Sequence, residues 1–285
     1  MMALLTSSSA WAGAWTFPKG KLWTKLTFMS QDTNEDYIGV PRPNIARGTR
    51  QPYLLEGEYS SRTFFLDAMY GITDQLNVGI QVPFFDQTFQ DQELNILFGG
   101  PISSSGFSDI RFFAKRKLID APVVSSLKFG FKAPTGSFEN RQGLIPVGEG
   151  QWDFDFILQV GRSFWPFRAY ANADVGYRVR MKNGEIDRDP GDELFWIAEF
   201  GYQWTDKLLT VLKWEGIDGK ETTSLGLQLT GDVKKIQYIS PAVLFRTTDT
   251  IAIEAGIRLS INGQNFPAGP VFQVGVNYEG IPFTR

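Results

Sequence analysis

Apolar and polar residues alternate along most of the chain, over residues 21–278. In residues 76–84 every second residue is apolar, and Asn77, Gly79 and Gln81 lie between the apolar ones. Residues 167–181 repeat the same pattern. A period of two residues is that of a β-strand whose two faces meet different surroundings, and no helical period fits it. The alternation therefore predicts long strands with one apolar and one polar face.

Twelve segments of this kind can be counted, and most of them are long. Soluble sheets usually use strands of about 5–6 residues, whereas a tilted strand needs about 9–11 residues to cross a bilayer. A soluble β-sandwich is the alternative, and strand length disfavours it. We therefore predict an all-β fold, a transmembrane antiparallel up-and-down β-barrel of about 12 strands. The predicted spans are 20–30, 57–71, 75–86, 106–118, 123–135, 151–163, 167–182, 193–204, 207–217, 234–246, 250–261 and 270–280.

The connections between these segments alternate between short and long. Three of the five short ones carry a Thr-Asp pair, at residues 73–74, 205–206 and 248–249. An Asp side chain can hydrogen-bond its own backbone in a tight turn. Short periplasmic turns and long extracellular loops are typical of outer-membrane barrels, so we expect both termini on the periplasmic side. The six long connections, rich in Gly, Pro, Asn and Asp, span 31–56, 87–105, 136–150, 183–192, 218–233 and 262–269.

The first residues of the chain are expected to lie outside the barrel. The triplet Ala10-Trp11-Ala12 fits the small-residue cleavage site of a secretory signal, although a basic region is missing. We interpret residues 1–12 as the remnant of a signal peptide, with a disordered tail as the alternative. Residues 13–285 are then predicted to form a single barrel domain, because no linker or change in composition divides them.

The apolar face of the predicted strands is assigned to lipid. Aromatic residues lie near the strand ends, where the aromatic girdles of a membrane barrel are expected. Outer-membrane lipid and lipopolysaccharide are therefore expected partners. The members of this face include Leu26, Phe64, Leu127, Phe129, Phe156, Phe200, Ile253 and Phe272.

The opposite face is polar and heavily charged, and it is assigned to the lumen. So many charges would be costly in a dry core, so they need water or one another. A water-lined lumen would supply both. The candidate lumen-lining residues are Lys21, Lys25, Asp67, Asp109, Arg111, Lys115, Lys128, Lys132, Asp153, Asp155, Arg168, Asp174, Arg178, Arg180, Glu199, Lys213, Glu215, Glu254 and Arg258.

These charges allow two interpretations. The charged residues of the fourth and fifth segments form either a basic arc that attracts anionic solutes or a ladder of cross-strand ion pairs that braces the wall. Asp153 and Asp155 on the sixth segment would neutralise the lysines, which favours the ladder. The mixed charges of the eighth, ninth and eleventh segments also allow two interpretations. They form either a ring that selects solutes or ion pairs that brace the wall.

The sequence contains neither His nor Cys. Their absence excludes Ser-His and Cys-His catalysis, disulfides and metal sites built on imidazole or thiolate ligands. The acidic residues of the long loops lack the full spacing of a calcium-binding loop. We therefore predict no catalytic residue, no metal site and no cofactor. A formal net charge of -3 gives no reason to expect a nucleic-acid partner.

Residues 106–180 carry short motifs that resemble a known outer-membrane family. They include GFSDIRFFAKRKL, LKFGFKAPTGSFE, GEGQWDFDFILQVGRSF and ANADVGYRVR. A G-x-x-D strand start, a P-T-G strand end, a G-x-G-x-x-D strand start and an N-x-x-x-G-Y strand fall at residues 106–109, 134–136, 148–153 and 172–177. These features are similar to those of the family described as "putative MetA-pathway of phenol degradation", which groups with transporter-like barrels. The resemblance implies an outer-membrane location and a role in the uptake of aromatic compounds.

Together these observations predict a channel or transporter for small solutes in a bacterial outer membrane. Twelve strands enclose a wider lumen than an eight-stranded barrel filled by side chains. The charged face favours polar or anionic solutes, whereas the resemblance implies aromatic ones. The alternative is a non-conducting structural or interaction barrel that uses its long extracellular loops. The longest loop, residues 31–56, could plug the lumen or reach a partner, and the sequence leaves the oligomeric state open.

Overall fold

The computed structural model describes residues 13–41, 43–138 and 146–280 of the chain. The predicted signal-peptide remnant, residues 1–12, lies outside these residues and stays a prediction. Within the described part, twelve long strands carry the alternation of apolar and polar residues. They are β1 (Leu22–Thr33), β2 (Glu58–Thr73), β3 (Leu76–Gln90), β4 (Ile110–Ile119), β5 (Val124–Ala133), β6 (Asp153–Ser163), β7 (Ala169–Arg180), β8 (Glu193–Gln203), β9 (Leu208–Gly219), β10 (Lys235–Arg246), β11 (Ile251–Gln264) and β12 (Pro270–Gly280).

These strands form one closed antiparallel sheet. Each strand pairs with the next in chain order, and β12 pairs with β1, where Leu22 lies opposite Gly280. A short strand, Ile102–Phe107, precedes β4 and continues its pairing with the far half of β3 after a break at Ser108 and Asp109. The predicted barrel of twelve strands is therefore confirmed.

The remaining elements lie in the long connections. Helix α1 (Gln92–Phe98) begins after Asp91, whose carboxylate accepts a hydrogen bond from the Leu94 amide, and it ends at Gly99 in the left-handed region. Among the described residues, no helix is long and apolar enough to span a bilayer. The other short elements are a 3-10 helix at Leu54–Glu56 and two small sheets, one of Glu35–Tyr37, Arg50–Pro52 and Phe266–Pro267 and one of Arg188–Asp189, Thr223–Ser224 and Leu227–Gln228.

The barrel has a short-turn end and a long-loop end, named after the connections they carry. All three Thr-Asp turns lie at the short-turn end, but the threonine makes the turn. The hydroxyls of Thr73, Thr205 and Thr248 each accept two backbone N–H bonds, from the second and third residues that follow. The predicted role of the aspartate was therefore wrong. Asp74 and Asp206 instead accept bonds from outside their own turns, from the Lys19 amide and from Arg168.

The outward face of the barrel is apolar, as the alternation predicts. Leu26, Phe129 and Phe156 of this face are all exposed on the outer surface. The inward face is less uniform than its predicted polar character, because several buried aromatic residues share it. Two of them, Phe65 and Phe85, belong to Phe pairs in which one ring points outward and the other inward, and Trp23, Tyr59 and Tyr238 are further buried aromatic residues of the strands.

Candidate functional site in the barrel interior

The charges assigned to the lumen lie mostly in a packed interior. Fifteen of the nineteen candidate residues are buried. Lys21, Arg111 and Lys128 are half-buried, and Arg168 is exposed at the short-turn end. The sequence predicts that these groups need water or one another, and the structure supplies other charged side chains and backbone carbonyls. Mutual pairing is the second means by which buried charges avoid the cost of desolvation.

A carboxylate from a long loop is the centre of the largest group of charges. Glu149 precedes β6, and its two oxygens accept bonds from Lys132 at 2.5 Å, Arg180 at 2.7 Å and Lys234 at 2.6 Å. The Lys132 ammonium also lies 3.0 Å from the Asp153 carboxylate. Residues 146–151, here called the inserted loop, therefore enter the barrel and are fastened there by cations from three different parts of the chain.

The same network continues across the wall from β8 to β4. Glu193 accepts from both Arg180 and Arg178, at 2.9 and 2.7 Å. Arg178 in turn holds Asp155 at 2.6 Å, and Asp155 lies 3.2 Å from Arg111. We call this network the ion-pair cluster. Its five carboxylates balance its five cations, and its members are Asp109, Arg111, Lys132, Glu149, Asp153, Asp155, Arg178, Arg180, Glu193 and Lys234.

The electrostatic balance at Glu149 shows how firmly its loop is held. Burial on its own would raise the pKa of this carboxyl group. The cations of Arg180, Lys132 and Lys234 outweigh burial and hold the pKa of Glu149 well below its usual range. Glu149 is therefore charged at neutral pH, and its charge stabilises the inserted loop.

Three further ion pairs brace the wall from β8 to β1. Lys25 bonds Glu254 at 2.9 Å, and Arg258 bonds Glu215 at 2.7 Å. Lys213 lies 3.5 Å from Glu199. We call these contacts the wall pairs. All six side chains are buried, so each charge is neutralised by a partner on another strand.

The chain ahead of β1 fills part of the short-turn end. Residues 13–18, here called the N-terminal segment, lie inside the barrel rather than beside it. The Ala14 amide donates to Asn172 of β7 at 3.1 Å, and the Phe17 amide donates to Asn77 of β3 at 2.8 Å. Gly13 lies so close to Asn172 that an added Cβ would be 2.2 Å from its Nδ2 atom, and the Asn172 side chain would have to shift to admit it.

One buried lysine provides the strongest contact to this segment. The Lys115 ammonium donates to the carbonyl oxygens of Gly13 at 3.0 Å and Trp15 at 2.6 Å. The Ser126 hydroxyl donates to the Ala14 carbonyl between them. Lys115 is fully shielded from solvent, so the segment takes the place that water would occupy in an open lumen.

The long-loop half of the interior holds an apolar cluster opposite the ion-pair cluster. Met29, Phe65 and Phe85 belong to it, and Val147 of the inserted loop packs against them. A cavity of about 20 Å³ lies between the two clusters and is bordered by Phe65 and Glu149. Such a space holds about one water molecule. The space between these two clusters is therefore too small for an organic solute.

The first long loop helps to close the long-loop end. Its strand Glu35–Tyr37 pairs with Phe266–Pro267 of the connection between β11 and β12. The Tyr37 hydroxyl donates to the carbonyl of Ser260 near the end of β11 at 3.1 Å. The Tyr37 ring is buried in the same apolar cluster as Phe65, Phe85 and Val147. The described part of this loop therefore contributes to the packed interior together with residues 13–18 and 146–151.

Sequence reasoning missed the residues that narrow the interior. The sequence places Glu149 in the loop 136–150, Lys234 at the start of the strand 234–246 without a lumen role, and Trp15 ahead of the first strand without a role inside the barrel. A weak signal was present at residues 13–18, where Trp15 and Phe17 alternate with small or polar residues, as in a buried extended segment. Nothing in the spacing shows that Lys115 lies against this segment.

The chain can now be compared with known proteins. The model of the family described as "Putative MetA-pathway of phenol degradation" matches residues 72–274, more than two thirds of the chain. The chain belongs to this family. A comparison with curated proteins finds no match.

Solved structures show a similar architecture. The COG4313 outer membrane channel from Pseudomonas putida F1 is 14% identical with a TM-score of 0.78, and the match covers 94% of this chain and 98% of that one. The beta domain of the Bordetella autotransporter BrkA is 11% identical with a TM-score of 0.51, covering 92% of this chain and 100% of that one. At these identities the likeness shows the fold of an outer-membrane barrel.

Proposed function

We propose that this family member is a channel for small solutes in a bacterial outer membrane, with the short turns and the termini on the periplasmic side. The apolar outward face fits outer-membrane lipid and lipopolysaccharide. The family description concerns phenol degradation, so aromatic compounds belong to the proposed solutes. The charged residues of the interior make polar or anionic members of that class the best candidates.

The observation that carries this proposal is the paired charge inside the barrel. A barrel that served only as an anchor would be filled at lower cost by apolar side chains, because buried ion pairs often stabilise less than well-packed apolar groups. The ion-pair cluster and the wall pairs instead give a large part of the interior a polar surface. A solute that displaces an inserted segment would meet this surface.

The interior carries no His or Cys, and we propose that the protein moves solutes without catalysing a reaction. The nineteen charged residues named from the sequence are proposed to line the pathway, with Arg168 at its short-turn mouth. The inserted loop and the N-terminal segment are proposed to restrict it, so that ion flow is small and solute passage requires a segment to move.

Solute flux into liposomes tests this function. Vesicles that contain the folded protein should take up benzoate faster than empty vesicles or vesicles with the heat-denatured protein. A larger sugar polymer should stay excluded, because the interior is narrow. Uptake equal to that of empty vesicles, for benzoate, phenol and small sugars alike, would contradict the channel and favour the non-conducting interaction barrel.

A further inference from the structure

A second and larger cavity opens at the short-turn end, below β7–β10, with a volume of about 650 Å³. We call it the vestibule. The N-terminal segment fills the opposite half of this mouth through its contacts with Asn77, Lys115 and Ser126. Pockets for small molecules usually measure about 300–1,000 Å³. The vestibule is therefore large enough for a small organic solute, whereas the cavity beside Glu149 is not.

The floor of the vestibule is apolar and partly aromatic. Trp15 of the N-terminal segment meets Tyr170 of β7 edge to face, with ring centroids 6.0 Å apart and planes at 89°. Leu209 and Leu244 complete the floor from β9 and β10. An edge-to-face pair beside branched aliphatic chains presents surfaces against which another flat ring packs well.

The rim of the vestibule has an excess of positive charge. Arg168 bonds Asp206 at 3.0 Å, so these two charges neutralise each other. Lys207 and Arg246 also border the cavity, and within the described part of the chain neither side chain forms an ion pair. Two exposed cations above an apolar floor attract a ligand that combines a ring with a negative group.

From this geometry we infer that the vestibule is a binding site for a small aromatic carboxylate. The ring lies on the floor beside Trp15, and the carboxylate faces Lys207 and Arg246. The site adjoins the polar interior, because the Tyr170 hydroxyl donates to Glu199 of the wall pairs at 2.8 Å. The inference rests on the proposed channel function, since it names the class of solute and places its binding site at the short-turn end of the barrel.

Calorimetric titration of the folded barrel in detergent tests the rim, with benzoate as the probe and benzyl alcohol as its uncharged counterpart. Replacing both Lys207→Gln and Arg246→Gln should weaken benzoate binding about five-fold, since each exposed charge contributes modestly. Benzyl alcohol binding should not change. Arg62→Gln, which removes a cation paired with Asp32 at the other end of the barrel, is the matched control and should leave both affinities unchanged.

A second pair of variants tests the floor. Trp15→Ala should weaken benzoate and benzyl alcohol alike, by about ten-fold, because both ligands use the ring surface. Trp15→Phe keeps an aromatic ring and should bind both within about three-fold of the unmodified protein. Displacement of the N-terminal segment could also explain a loss of binding in Trp15→Ala. The rim variants keep Trp15, so their effect on benzoate affinity tests the charges independently of that displacement.

Benzoate that shows no saturable binding, or that binds the double rim variant as tightly as Arg62→Gln, would overturn the inference. The outcome is separate from that of the flux experiment. Flux of benzoate without saturable binding would support the proposed channel function and contradict the proposed binding site. Binding without flux would support the site and contradict the channel.

Discussion

Lys115 shows how one side chain can hold a whole segment inside the barrel. Its ammonium is fully buried, and its two closest acceptors are carbonyl oxygens of the N-terminal segment. A buried ammonium that lost these acceptors would need water in their place. The segment and the lysine therefore stabilise each other.

We expect Lys115→Met to loosen the N-terminal segment while the barrel stays folded. Unpaired carbonyl groups in a shielded site cost about 1–3 kcal/mol, which corresponds to a roughly 5- to 150-fold larger population with the segment displaced. Open probability in planar bilayers should rise accordingly. Lys117→Met is the control on the same strand, because Lys117 pairs with Asp120 near the rim and does not touch the segment. Equal open probability in the two variants would show that Lys115 does not hold the segment.

Glu149 is the corresponding residue for the inserted loop. Glu149→Gln leaves Lys132, Arg180 and Lys234 without their shared carboxylate. Removing one partner of a buried ion pair costs about 3–5 kcal/mol, and we expect a loss of about 3 kcal/mol in the free energy of unfolding, measured by urea titration in lipid vesicles. Glu35→Gln, which breaks an exposed pair with Arg50, should cost less than about 1 kcal/mol.

This contribution also has a defined pH dependence. Because the folded-state pKa of Glu149 lies below its ordinary value of 4.5, its stabilisation is complete above that value. The stabilisation disappears as the pH falls through the lowered pKa. The stability difference between the unmodified protein and Glu149→Gln should therefore stay constant from pH 8 to about pH 5 and shrink below about pH 4. A difference that grows on acidification would contradict the assigned charge state.

The charged residues could be identified from the sequence, and so could the pairing of Asp153 with a lysine of β5, but most of the other partners could not. Alternation places Lys25 and Glu254 on the inward face, and they meet although 229 residues separate them. Pairing of this kind depends on barrel closure and on strand register, which no local spacing encodes. For the same reason the sequence favours ion pairs over free charges without showing which strands they join.

At the scale of elements, the strands follow closely from the sequence and the inserted segments do not. A strand that faces lipid on one side and a polar interior on the other has alternating apolar and polar residues, and this alternation is visible in the sequence. The N-terminal segment is short, and most of its partners are distant in sequence, since the contact of Ala14 with Ser126 spans 112 residues. Its position therefore depends mainly on tertiary contacts, although Phe17 also stacks on Trp23 of β1.

Deleting residues 13–18 tests the role of this element directly. We expect the shortened protein to fold, because the deleted residues belong to no barrel strand. Its single-channel conductance should exceed that of the unmodified protein, since Lys115, Asn77 and Ser126 would then face water. A matched variant with Leu225→Ala, at an exposed position in a long loop, should conduct like the unmodified protein. Unchanged conductance after the deletion would show that another part of the barrel limits flow.

At the scale of the whole molecule, the barrel combines a lipid-facing exterior with an electrically balanced interior. Five carboxylates match five cations in the ion-pair cluster, and three match three in the wall pairs. Release of the N-terminal segment would leave both balances unchanged, because residues 13–18 carry no charged side chain. The fold supports this arrangement because twelve strands leave room for two inserted segments.

The sequence therefore predicted the barrel and its charged face, whereas closure of the interior emerged only from the three-dimensional arrangement. The Phe doublets explain part of this limit. At Phe64-Phe65 and Phe84-Phe85 both faces are apolar, and the alternation alone does not show that the inward rings join an apolar cluster. The vestibule is likewise built from four separate parts of the chain, residues 15, 163–170, 203–209 and 244–246.

The most direct test of a movable N-terminal segment is the conductance of a cross-linked barrel. The chain contains no Cys, so Ala14→Cys with Ser126→Cys introduces the only two thiols. A short reducible bifunctional thiol reagent would tie the segment to β5, where these residues are in contact. We expect benzoate flux and open probability to fall when the link forms and to recover when it is reduced. Flux that is the same with the segment linked and free would contradict the account.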